Sequence, residues 1–102
     1  MKELPIACTL GPGDGAARLE EWRRLAPSQL QAERHGRRLV VTYRESAAAE
    51  LARLVAAERS CCAFLDWSLE RSGDRALLRV SSDEAGEPEI ARLAELFGAS
   101  GR

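Results

Sequence analysis

Two adjacent thiols, Cys61 and Cys62, follow Glu58 by about one helical turn, and a third thiol, Cys8, stands far away in the chain. If Cys8 folds back onto the pair, the protein holds a three-thiolate site. Three thiolates select soft or borderline ions: Hg(II), As(III), Cu(I), or Zn(II) with a fourth ligand. If Cys8 does not meet the pair, the three cysteines act as small buried hydrophobes. Neighbouring side chains on a regular helix diverge by about 100°, so Cys61 and Cys62 can share one ion only where the helix gives way. A vicinal disulfide between them would be strained. Glu58 has two roles open to it. It could stand with Cys8, Cys61 and Cys62 as a metal ligand, or take the proton a thiol loses when metal binds. Alternatively it is a buried carboxylate paired with an arginine, and Arg18, Arg53 and Arg59 are the candidates.

The remaining reactive groups point elsewhere. Nucleophilic cysteine needs a depressed pKa, from a histidine or a helix N-terminus. Cys61 and Cys62 stand at a helix C-terminus, where the dipole disfavours a thiolate, and the only histidine, His35, falls in a turn. The expectation is a binding protein without catalytic turnover. Thiol redox or detoxification chemistry, with Cys8 resolving an oxidised Cys61 or Cys62, is the alternative; an interaction module with structural cysteines is another. Gly11-Pro12-Gly13-Asp14-Gly15 lacks the Gly-Lys-Ser/Thr ending of a phosphate loop. It reads as a flexible connection after Cys8. Arg23-Arg24 and Arg37-Arg38 read as solvated surface, and Trp22 and Trp67 as core.

The elements that must position these groups follow from periodicity. Leu4, Ile6, Cys8 and Leu10 alternate with Pro5, Ala7 and Thr9, the pattern of a strand with one buried face. Asp14 is placed to cap a helix with Leu19, Trp22, Leu25 and Ala26 inward, ending at Pro27. The stretches Leu30 to Arg34 and Leu39 to Tyr43 flank His35-Gly36 as a hairpin. A second helix, capped by Ser46, carries Leu51, Leu54, Val55, Glu58, Cys61 and Cys62 on one stripe. Leu65, Trp67 and Leu69 form one face of the next strand, and Ser72-Gly73-Asp74 turns the chain into Ala76 to Ser81. A last helix opens near Pro88 and buries Ile90, Leu93, Leu96 and Phe97.

This order predicts an α+β fold: a ferredoxin-like βαββαβ core, extended by a β-strand and a C-terminal helix, with an antiparallel sheet and helices on one face. In that plan the first strand is central, beside the strand after the second helix, and Cys8 comes to the end of the domain where Cys61-Cys62 lie. Residues 1–98 form a single domain, with 99–102 a frayed tail.

Composition bounds the function. Charged residues make up 30% of the 102 and hydrophobic ones 45%, with a net charge of -1. That is an ordinary soluble domain without the basic surface that nucleic acid requires. No apolar run is long enough for a membrane span. The start of the chain lacks the apolar region of an export signal. An odd number of cysteines then fits reduced thiols in the cytoplasm. Exposed strand edges make a homodimer an open expectation.

Ile6-Ala7-Cys8-Thr9-Leu10, followed by Glu58-Arg59-Ser60-Cys61-Cys62-Ala63-Phe64-Leu65-Asp66-Trp67-Ser68-Leu69, resembles a family of small bacterial proteins. Their pattern is roughly I-A-C-x-L, then E-x-x-C-C-x-F-x-x-(aromatic)-x-L. Similar segments are fused behind the DNA-binding part of some mercury-resistance (MerR-type) regulators, or encoded near heavy-metal genes. The resemblance spans nearly the whole chain. It implies soft-metal or metalloid binding through Cys8, Cys61 and Cys62, with Glu58 as the matching acid. It further implies a metal-responsive regulator or transporter as partner. Ala63 stands where proline is common and Trp67 where phenylalanine is usual; neither change touches a thiol. No DNA-binding segment accompanies the motif here, so sensing, trafficking or an accessory resistance role is implied rather than a stand-alone regulator.

Overall fold

The computed structural model describes residues 12–61 and 65–101. In chain order they form α1 (Pro12–Arg24), β1 (Gln29–His35), β2 (Arg38–Arg44), α2 (Ala48–Cys61), β3 (Asp66–Ser72), β4 (Arg75–Ser81), α3 (Glu87–Phe97) and β5 (Ser100–Gly101). Short 3-10 turns at Ala26–Ser28, Glu45–Ala47 and Glu84–Gly86 lead into β1, α2 and α3.

The two hairpins expected from the sequence are present. β1 meets β2 as far as the pair His35↔Arg38, and β3 meets β4 as far as Ser72↔Arg75. Gly36 and Gly73 turn them with φ of 62°, a left-handed conformation that glycine adopts without steric cost. Leu39, Val41 and Tyr43 of β2 and Ala76, Leu78 and Val80 of β4 are buried, alternating with half-buried Val40, Thr42, Leu77 and Arg79. One face of the sheet is therefore core, as period-2 alternation requires.

The helices supply the other half of that core. Leu51, Leu54, Val55 and Glu58 are buried on α2, and Ile90, Leu93, Ala94 and Phe97 on α3, each set at the i, i+3, i+4, i+7 spacing of a single stripe. Trp22 of α1 and Leu25 just after it join the same apolar cluster. Pro88 lies in the first turn of α3 with Glu87 and Glu89, where a missing N–H costs nothing and acids suit the helix dipole. Among the described residues no helix is long and apolar enough to cross a membrane.

The sheet departs from the ferredoxin-like expectation in two ways. Its order is β3-β4-β2-β1-β5, so β4 fills the place between β3 and β2 that the ferredoxin-like plan reserves for the first strand. The tight turn at Gly73-Asp74 keeps β4 beside β3, and its buried alternating residues make it a central strand. The predicted strand from Leu4 to Leu10, with Cys8, lies outside the described residues. The sheet is also mixed rather than wholly antiparallel. After α3 the N–H of Ala99 donates to Ala94 O at 2.8 Å, and Ser100 and Gly101 then pair in parallel with Glu33 and Arg34. Part of the stretch expected to fray is thus the fifth strand.

Two local expectations also shift. Pro12 to Gly15 belong to α1 rather than to a flexible connection. The cap expected at Ser46 is replaced by the Glu45–Ala47 turn that feeds α2.

Tyr43, the chain's one tyrosine, is 1% exposed. Burial pushes its phenol well above the ordinary value of about 10. Its folded pKa is raised, so its contribution to stability is complete below pH ~10 and is lost as pH climbs further, where the unfolded chain ionises first. Tyrosinate absorbance should therefore appear only in step with loss of circular dichroism, and Tyr43→Phe should move the alkaline transition to higher pH. Tyrosinate forming near pH 10 in a fully folded protein would contradict this.

Candidate thiol site and its buried carboxylate

α2 delivers the chemistry named in the sequence. Its buried stripe runs through Leu51, Leu54, Val55 and Glu58, and one turn further on the described part of the helix reaches Cys61. Leu65 is a buried bend and β3 starts at Asp66. The chain thus passes from helix to strand between Cys61 and Asp66. Asp66 pairs with Ser81, and Ser81 with Arg38. This end of the sheet therefore also holds the β1–β2 turn. His35 ends β1 in the same row but three strands away, its Nε2 3.2 Å from Glu33 Oε2. Cys8 and Cys62 lie outside the described residues. Among the described residues no group of three or more His, Cys, Asp or Glu side chains is placed to hold a metal.

Of the four predicted site residues, Glu58 is the one whose surroundings are defined. It is 0% exposed, the only charged side chain among the described residues that is buried. A carboxylate moved out of water costs several kcal/mol unless it is paired and hydrogen-bonded. α1 supplies a cation and a donor. Arg18 Nη1 lies 3.3 Å from Glu58 Oε2, and Trp22 Nε1 donates to the same oxygen at 2.9 Å. Arg18 and Trp22 are four residues apart, so one face of α1 presents both to α2.

The pair continues outward as an alternating chain of charges. Arg18 Nε is 3.7 Å from Glu21 Oε2, Arg53 Nη2 is 3.0 Å from Glu21 Oε1, and Arg53 also binds Glu50. The hydrogen bonds that Arg53 donates to Glu50 and then Glu21 push its guanidinium further up from an already high pKa. Arg53 is therefore engaged at the surface rather than with Glu58, and Arg59 is exposed. Of the three arginines the sequence offers, Arg18 is the one that pairs.

Aromatic rings close the other side. Trp22 packs on Trp67 of β3 at 5.7 Å between centroids, tilted by 35°, and edge-on against Phe97 of α3 at 5.8 Å. Trp67 is 2% exposed, and its Nε1 has no hydrogen-bond partner among the described residues. Both tryptophans are core residues, as their spacing implies. The second role of Trp22, donor to a buried carboxylate, is missed by sequence reasoning. The signal is present in retrospect: an arginine and a tryptophan one turn apart on a helix, facing a lone acid on an apolar stripe.

Compared with known proteins, the chain matches no family model, no curated protein and no solved structure.

The buried pair makes a sharp stability prediction. Arg18, only 15% exposed, can be replaced by Met to keep its stem but remove its charge. That leaves Glu58 buried without its cation and should cost about 3–5 kcal/mol. Glu58→Gln, which keeps an acceptor for Trp22, should cost about 1–2 kcal/mol. In the Glu58→Gln background, Arg18→Met should cost far less than alone. Equal losses in both backgrounds, read from urea unfolding, would show that the two side chains are not coupled.

Proposed function

We propose that the protein binds a soft metal or metalloid ion as cargo, through a thiolate cluster of Cys8, Cys61 and Cys62, in metal sensing, trafficking or resistance. The observation that carries this reading is that the described part of α2 reaches Cys61, one turn beyond a buried Glu58, with β3 beginning at Asp66. A change from helix to strand between these elements is what an adjacent thiol pair needs to share one ion. Hg(II), As(III) and Cu(I) suit three sulfurs directly, and Zn(II) would need a fourth ligand. The similarity of the Cys8 and Glu58-to-Leu69 segments to proteins associated with mercury resistance supports the same choice of ion.

In this proposal Cys8 meets the Cys61-Cys62 pair, and Glu58, whose Oε2 accepts from Arg18 and Trp22, lies one helical turn before the pair. Metal binding releases the thiol protons. A metal-responsive regulator or transporter in the cytoplasm is the class of partner that would receive or deliver the ion.

Native mass spectrometry of the reduced protein with Zn(II), Cu(I), Hg(II) and As(III) tests the reading. Cys8→Ser is nearly isosteric, but a hydroxyl is a poor soft ligand, so affinity should fall by roughly 100-fold with the fold intact. A Cys8→Ser protein that takes up Hg(II) and As(III) as tightly as wild type would reduce the site to Cys61-Cys62. A wild-type protein that retains none of the four ions would remove the proposal.

A further inference from the structure

We infer that β3 is a dimer edge: two copies of the chain join β3 to β3 antiparallel, about a two-fold axis at Leu69, and fuse their five-stranded sheets into one. Among the described residues β3 lies at the margin of the sheet and pairs with β4 alone. An edge strand leaves a row of N–H and C=O groups open to another strand, and monomeric proteins blunt such edges. The far margin is blunted. The described β5 has two residues, one of them Gly101 with φ of 93°, and the β1–β2 register shifts between Gln29 and Gln31. β3 carries none of these devices. Its seven residues, Asp66–Ser72, pair with β4 without a register shift and include no proline.

The side chains of β3 select both the partner and the register. A two-fold axis normal to the sheet continues the core face of one copy into the core face of the other and makes every contact reciprocal. With the axis at Leu69, all seven residues find a counterpart. Asp66 of one copy faces Ser72 of the other, Trp67 faces Arg71, Ser68 faces Glu70, and Leu69 faces Leu69. No like charges stand opposite one another. Moving the axis to Ser68 sets Asp66 against Glu70, and moving it to Glu70 sets that carboxylate against itself. Either arrangement destabilises a strand pair. Leu69 is half-buried and packs on the rim of the apolar cluster, so a second Leu69 alongside completes its burial. The acids and arginine of this strand, which would repel in the neighbouring registers, thus specify a second copy of β3 in one register. No thiol takes part, and the contact stands apart from the metal reading.

Analytical ultracentrifugation of the full chain, kept reduced so that no disulfide joins two copies, tests the contact. Wild type should show a dimer that grows with concentration, and amide hydrogen exchange across Asp66–Ser72 should slow as it forms. Ser68 is exposed and lies opposite Arg79 of its own β4. Ser68→Glu therefore keeps a cation beside it within the fold, yet faces Glu70 of the other copy twice per dimer. Its dimer should be weaker by roughly tenfold. Ser68→Lys faces the same two carboxylates and should dimerise at least as tightly as wild type, an outcome that a purely steric effect would not produce. Should Ser68→Glu lack the circular dichroism of wild type, Ser72→Glu, which faces Asp66, replaces it with the same expectation. A reduced wild type that stays monomeric at every concentration would overturn the inference and leave this edge to another segment of the same chain. A dimer equally tight with glutamate and with lysine at position 68 would overturn it as well, because the copies would then meet elsewhere.

Discussion

A single negative charge with no access to water organises this protein. Glu58 occupies a position on α2 where an apolar residue would extend the stripe of Leu51, Leu54 and Val55. Its burial is tolerable because α1 brings a guanidinium and an indole N–H to the same carboxylate oxygen. Remove α1 and the carboxylate loses the guanidinium and the indole N–H that accompany its burial. The helix is therefore more than a cover, because its seat on α2 is specified by a directional contact.

Trp22 joins that polar contact to the apolar core. Its ring stacks on Trp67 from β3 and meets Phe97 from α3 edge-on, while its nitrogen faces α2. One side chain thus touches all the remaining layers of the fold. Aromatic pairs of these geometries add about 0.5–1.5 kcal/mol each beyond the area they bury. α1 is in this way held to β3, α3 and α2 through one side chain.

Much of this arrangement is legible in the sequence, and the exceptions have physical causes. The hairpins announce themselves through glycine between alternating runs, and α2 and α3 through four-residue stripes ending near Gly or Cys. Even the odd position of Glu58 and the candidacy of Arg18 are visible from spacing alone. The order of strands is not, because β4 reads as an appendage when strands are counted along the chain. Its buried Ala76, Leu78 and Val80 make it central only once the sheet is assembled. The start of α1 is misread because Pro12 between glycines looks like a break, although proline is well suited to a first helical turn. The pairing of Ser100 and Gly101 with β1 is invisible for a simpler reason: two residues carry no period. The proposed meeting of the thiols would depend on long-range strand placement, the part least accessible to local pattern.

The stacking of Trp22 on Trp67 also has an optical consequence. These are the chain's two tryptophans, and at 5.7 Å with a 35° tilt their transition dipoles are close enough to couple as an exciton pair. The coupled signal in circular dichroism belongs to the contact between α1 and β3 rather than to helix content. It vanishes if α1 lifts away with its hydrogen bonds intact, whereas the far-ultraviolet helix bands do not. The protein therefore carries its own gauge of whether the helix next to Cys8 is seated, without any added label.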